Sequence, residues 1–232
     1  MQTVLSLPYE TSDAIPDHVD SSDDVRMPEP LVEHVVEAFT ESGATVLDPF
    51  AGFGTTLAVA EELGRIPYGV EFDADRIAFA RDRLGRDDAA DHLVHGDAFD
   101  LDWSAFPAVD LCLTSPPFIA WSEGIDPFRN YDPDSETTYE RYLDDIERLF
   151  SRVARCMAAD ATLVVEVANL KTDDGVFPLA WDVGERLAET VPFDFRGETV
   201  VAWEGEERED GEGVYGYGYD HSYCLVYDVD SE

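Results

Sequence analysis

Ser115, Pro116, Pro117 and Phe118 stand in a row directly after an apolar run at 109–114. Adjacent prolines fix φ and carry no N–H, so this backbone is stiff and presents only carbonyl acceptors. An exocyclic amine on adenine, cytosine or guanine is a poor nucleophile, because its lone pair is delocalised into the ring. Two acceptors aimed at its N–H bonds pull the nitrogen toward tetrahedral geometry and free that lone pair. The Ser115 hydroxyl oxygen and the Pro116 carbonyl suit that task, and the Phe118 ring suits stacking on the base. Such catalysis works by positioning and electrostatic stabilisation, without a covalent intermediate. The bland alternative for the same residues is a rigid turn that ends on a core phenylalanine.

A second stretch supplies a partner for that chemistry. Residues 46–56 read VLDPFAGFGTT, an apolar run that enters a turn through Gly52 and Gly54 and leaves as a helix. A strand, a glycine turn and a helix in that order let backbone approach a ligand closely. Glu71 lies 17 residues past Gly54, at the end of the next apolar run. An acid there hydrogen-bonds ribose hydroxyls in doubly wound sheets. A dinucleotide is disfavoured, because the third glycine position falls on Leu57 and Asp48 would repel a pyrophosphate. A cofactor with a cationic amine or sulfonium suits Asp48 better, and S-adenosylmethionine has both. Asp97, after a third apolar run, is placed to accept from an adenine amino group, with Ala98 or Phe99 beside the ring; a solvated turn acid is the alternative.

The elements that must position these residues follow from periodicity. Leu31, Val32, Val35, Val36 and Phe39 predict an amphipathic helix. Leu57, Ala58, Ala60 and Leu63 predict a second, and Ile77, Ala78, Ala80, Arg81 and Leu84 a third. Tyr142, Ile146, Leu149, Phe150 and Val153 predict a long fourth, and 178–189 a fifth. Strands are expected at 45–47, 68–71, 93–95, 109–114, 162–167, 198–203 and 223–227, with only Val4 to Leu7 strand-like before residue 28. Apolar strands alternating with helices imply an α/β fold: a doubly wound, mostly parallel seven-stranded sheet covered on both faces. The last two strands follow one another without a helix, so the final strand is expected antiparallel. The domain plan is an acidic N-terminal extension at 1–27 and one catalytic domain at 28–232.

Together these motifs resemble the class I S-adenosylmethionine-dependent amino-methyltransferases of nucleic acids. The 48–56 turn resembles their cofactor loop, and Ser115–Phe118 resembles their catalytic Asp/Asn/Ser-Pro-Pro-Tyr/Phe motif. The stretch at 28–84 and the closing run at 221–227 are similar to the same enzymes. The resemblance implies that Asp48, Phe50, Gly52, Gly54 and Thr55 line the cofactor, that Glu71 holds its ribose and that Asp97 meets its adenine. The serine form of the catalytic motif is similar to that of DNA cytosine-N4 methyltransferases, so DNA is the expected partner and cytosine N4 the expected target. An RNA base N-methyltransferase is the alternative, followed by a protein or small-molecule methyltransferase or a catalytically silent partner subunit. Little room is left for a separate recognition domain. The loops at 119–137 and 204–219 are the candidates, with Arg129, Arg141 and Lys171 the few cations near them. Trp121, Tyr131, Tyr215, Tyr217 and Tyr219 are available to stack on bases.

The charge is extreme. The 232 residues hold 52 Asp and Glu against 15 Lys and Arg, a net charge of -37, and Lys171 is the single lysine. That excludes a conventional basic nucleic-acid surface and attraction to anionic lipid. The acids are spread along the chain, which suits a cytoplasm at molar salt such as that of a halophilic archaeon, where screening shortens the Debye length to about 3 Å. Three cysteines without a CxxC pair, and histidines without ligand spacing to them, predict no disulfide framework and no metal. Cys112 lacks the preceding proline a nucleophilic cysteine would have in a cytosine-C5 enzyme and reads as a core thiol. No signal peptide or membrane-length apolar run is visible, so a cytoplasmic protein is expected. The oligomeric state is left open.

Overall fold

The computed structural model describes residues 2–11, 15, 26–85, 92–118, 124–129, 132, 134–172, 175–190, 192–204 and 218–230. Among the described residues, ten strands and five α-helices follow in the order β1 (Val4–Pro8), α1 (Glu29–Phe39), β2 (Thr45–Asp48), α2 (Thr55–Glu62), β3 (Ile66–Glu71), α3 (Ala74–Leu84), β4 (Leu93–His95), β5 (Val109–Thr114), α4 (Tyr139–Val153), β6 (Met157–Val167), β7 (Leu170–Thr172), β8 (Gly175–Phe177), α5 (Leu179–Ala188), β9 (Phe193–Glu204) and β10 (His221–Val229).

Eight strands form one sheet in the order β1-β9-β10-β6-β5-β2-β3-β4, and β7 with β8 forms a separate hairpin. The order steps outward from β2 in both directions, the signature of a doubly wound sheet. Strand β10 runs antiparallel to both of its neighbours, β6 and β9, as expected for the final strand. The expected seven strands become eight because β1 joins the edge, parallel to β9, with Val4 opposite Val200. Strand β6 begins five residues before the expected 162. Its first half holds Asp160 at φ 64 and a register shift against β5, which hide the strand pattern in sequence. Aspartate tolerates that left-handed conformation better than most residues.

Caps and apolar stripes fix the helices. Pro28 and Pro30 open α1, where a missing N–H costs nothing. The Asp73 carboxylate accepts from the N–H groups of Asp75 and Arg76 to start α3, and Gly85 ends it. On one face of the sheet, α4 and α5 bury Ile146, Leu149, Phe150, Val183 and Leu187 against Cys112, Leu163, Val165 and Tyr227. On the other, Leu31, Val32, Val35 and Val36 of α1 cover Leu111, Leu113, Val164 and Val226. Cys112 is wholly buried, and burial pushes its thiol well above the usual range, as befits a core residue. Among the described residues, no helix is long and apolar enough to cross a membrane. The carboxyl ends of β2, β3, β4 and β5 share one edge, where open α/β sheets bind ligands. Asp48, Glu71 and Thr114 end three of these strands, and Asp97 follows the fourth.

Candidate active site

The glycine turn is built around a buried carboxylate. Asp48 closes β2 and is 3% exposed. One of its oxygens accepts from the Phe50 N–H at 3.0 Å and from the Thr114 hydroxyl at 2.6 Å, and the other accepts from the Thr56 hydroxyl at 2.7 Å. Phe50 and Thr56 belong to the turn and to α2, while Thr114 directly precedes Ser115. One carboxylate therefore fastens the two motifs to each other across two adjacent parallel strands. Burial raises the Asp48 carboxyl to about 6, against the opposing pull of the three hydrogen bonds.

Glu71 binds the same turn from the next strand. Its carboxylate accepts from the Gly52 N–H at 2.8 Å and the Asp73 N–H at 2.7 Å. Burial raises its carboxyl, and the backbone N–H groups and Arg76 pull the other way. Gly54 begins α2 at φ +78, and a Cβ there would lie 2.9 Å from the Ala80 Cβ. Gly54→Ala is expected to cost roughly 2–4 kcal/mol, from left-handed strain and overpacking together. A urea midpoint equal to that of the unchanged protein would refute this reading. Thr55, the first residue of α2, is buried, and its hydroxyl accepts from Arg83 at 3.2 Å. Arg83 also pairs with Glu29 of α1, so this hydroxyl takes part in tying three helices together.

Asp97 is occupied on both oxygens. One accepts from the Phe99 N–H at 2.8 Å, and the other pairs with the Arg129 guanidinium at 2.7 Å. Arg129 ends a short 3-10 turn, Pro127–Arg129, that carries Phe128. The Phe128 ring is buried against Phe50 at 5.6 Å, Phe99 at 5.2 Å and Tyr142 at 5.2 Å. Residues 127–129 thus lie against the glycine turn through Phe50.

The tetrapeptide itself emerges from β5 with Pro116 buried and Ser115, Pro117 and Phe118 half-buried. The Tyr142 hydroxyl of α4 donates to the Pro117 carbonyl at 3.1 Å, which limits rotation of the chain next to the Pro116 carbonyl. Phe118 packs on the edge of the core. Asp48, Phe50, Gly52, Gly54, Glu71 and Ser115 to Phe118 are therefore gathered at one edge, with Asp97 linked to them through Arg129 and Phe128. Sequence reasoning assigned no site role to Thr114, Thr56, Tyr142 or Phe128. A hydroxyl at the last position of an otherwise apolar strand was the available signal for Thr114. Trp121, Tyr131, Tyr215 and Tyr217 lie outside the described residues.

Solved structures share this architecture. TrmN from Thermus thermophilus superposes with a TM-score of 0.61 over 90% of this chain and 51% of that one, at 17% identity. The fold is the Rossmann-like methyltransferase fold. A second methyltransferase-fold neighbour, an RNA methyltransferase from Salinibacter ruber crystallised with S-adenosyl-L-homocysteine, gives a TM-score of 0.50 over 90% of this chain and 95% of that one, at 14% identity. In sequence, residues 8–82 match the DNA methylase family N6_N4_Mtase. That stretch holds the glycine turn and Glu71. The type II methyltransferase M2.DpnII of Streptococcus pneumoniae is 44% identical over 57 residues, which are 25% of this chain and 21% of that one. The chain thus aligns with about a fifth of that relative's length. The donor set fits an adenosyl cofactor that carries cationic groups. Two strand-end carboxylates face a turn without side chains at Gly52 and Gly54, and aromatic rings lie alongside.

Proposed function

We propose that this chain is an S-adenosylmethionine-dependent methyltransferase acting on an exocyclic amine of a nucleic-acid base, with DNA cytosine N4 as its target. The observation that carries the reading is the Asp48 carboxylate, which holds the glycine turn and the residue before Ser115 together. Gly52, Gly54 and Phe50 would line the cofactor, Glu71 would accept from its ribose, and Asp48 would face its cationic end. The cofactor supplies a methyl group on a positively charged sulfur that leaves as a neutral thioether. Ser115 and the Pro116 carbonyl accept from the two N–H bonds of the amine and release its lone pair. The amine nitrogen held by these acceptors would take that methyl group from the bound cofactor, and its extra proton would pass to water. Phe118 holds the base by stacking, after the base is extruded or presented single-stranded. The serine at the head of the tetrapeptide and the match of 8–82 to DNA methylases support DNA over RNA. An RNA base N-methyltransferase is the second reading, because the same acceptors serve any exocyclic amine.

The deciding experiment offers genomic DNA and tRNA separately in concentrated potassium chloride and identifies the methylated nucleoside by mass. N4-methylcytosine in DNA is the expected product. A methylated tRNA base would move the assignment to RNA, and labelling of neither would favour a protein or small-molecule substrate. Glu71→Ala is expected to weaken S-adenosylmethionine binding at least tenfold by calorimetry. Unchanged affinity would remove the cofactor assignment.

A further inference from the structure

The one lysine of this acidic chain is held in a fixed place beside the catalytic edge. Lys171 lies on β7, directly across the hairpin from the exposed Val176. Its ammonium donates to the Gly218 carbonyl at 2.6 Å and sits 4.1 Å from the centre of the Tyr219 ring. Its stem lies across Gly218, which has φ +75 and where any Cβ would come within 2.8 Å of the lysine. Only glycine allows that close approach. Among the described residues, Lys171 pairs with no carboxylate. An exposed cation attracts an anion.

Lys171 also begins a ladder of rings that descends toward the tetrapeptide. Tyr219 meets His221 edge-on at 5.2 Å, and His221 meets Tyr223 at 5.3 Å. A His221 ring nitrogen lies 3.2 Å from the Tyr223 hydroxyl. All three rings are half-buried, so each keeps an open part. Register gives the distance to the chemistry. Tyr223 pairs with Val167 of β6, and Val165 of the same strand pairs with Thr114. Two strand spacings therefore separate the foot of the ladder from Ser115, about 10 Å. That is about three nucleotides of a stacked strand.

Resting on the function proposed above, we infer that Lys171, Tyr219, His221 and Tyr223 form the contact surface for the nucleic-acid strand flanking the target base. Lys171 takes a phosphate, and the rings take unstacked bases. Aromatic platforms bind bases without sequence preference, and one cation per phosphate adds a salt-dependent share. This surface supplies what the rest of the chain, with its negative charge, withholds.

The test is steady-state methyl transfer to a single-stranded oligonucleotide across a series of salt concentrations. Tyr219→Ala and Lys171→Gln are each expected to raise the oligonucleotide KM about tenfold, with kcat and S-adenosylmethionine affinity unchanged. Lys171→Gln is also expected to flatten the log–log dependence of affinity on salt by about 0.7, and Lys171→Arg to restore it. Phe195→Ala, on an exposed ring at the far end of the sheet, is expected to change none of these. Unchanged KM and salt slope in folded Tyr219 and Lys171 variants, with a wild type that labels nucleic acid, overturn the surface alone. A wild type that binds cofactor but labels no nucleic acid overturns the function and the surface together.

Discussion

Ser115→Ala is expected to leave S-adenosylmethionine affinity unchanged and to reduce turnover about 10²- to 10³-fold, the usual loss when one preorganised hydrogen-bonding group is removed from a reacting centre. The structure separates the two readouts. Ser115 lies outside the Gly52–Gly54 turn that Glu71 holds, so under the proposed function its loss would remove an acceptor for the amine and leave the cofactor cradle intact. Neighbouring groups stay fixed, because Thr114 remains bonded to Asp48 and Pro117 to Tyr142. Single-turnover rates with saturating cofactor, compared with calorimetric affinity, check this. Full turnover in the alanine variant would remove serine from the chemistry and leave the proline carbonyl to act alone.

Asp48→Asn is expected to stabilise the protein near neutral pH while weakening its hold on a cationic cofactor. The sign follows from the raised carboxyl. Native Asp48 keeps its proton up to about 6, whereas the unfolded chain releases it near 3.8. Between those values the native state binds more protons, so stability falls as pH rises through this window and is fully restored only below it. Ionising the buried group costs about 3 kcal/mol at neutral pH. Asparagine carries no such charge. The variant is therefore expected to gain up to about 3 kcal/mol at pH 7.5 and almost nothing at pH 4. Urea unfolding at the two pH values measures the difference, and equal gains at both would refute it. A buried anion held at a stability cost is consistent with a site that waits for a positive ligand.

Much of this site was legible because its signals are local. The turn at Gly52 and Gly54 and the Ser115-to-Phe118 motif each fall within a few residues, and each sits at the predicted end of a strand. The link between them was not legible. Thr114 and Asp48 are 66 positions apart, and their bond exists only because β2 and β5 become neighbours. Phe128 read as part of a polar loop, and its burial depends on three rings from distant segments. The β7–β8 hairpin has strands of three residues each, too short for alternation to register. Lys171 was noted as a cation near the site, but its seat on Gly218 depends on a contact across 47 positions.

The placement of β1 sets an order of events during synthesis. Val4 through Pro8 pair with Val200 through Glu204. At about 5–20 residues per second, the first strand waits on the order of ten to forty seconds after it emerges before its partner exists. The strands from β2 to β6 can assemble in that interval, because each neighbour pair among them closes a shorter loop. The sheet therefore closes its β1 edge last, after β9 has been made.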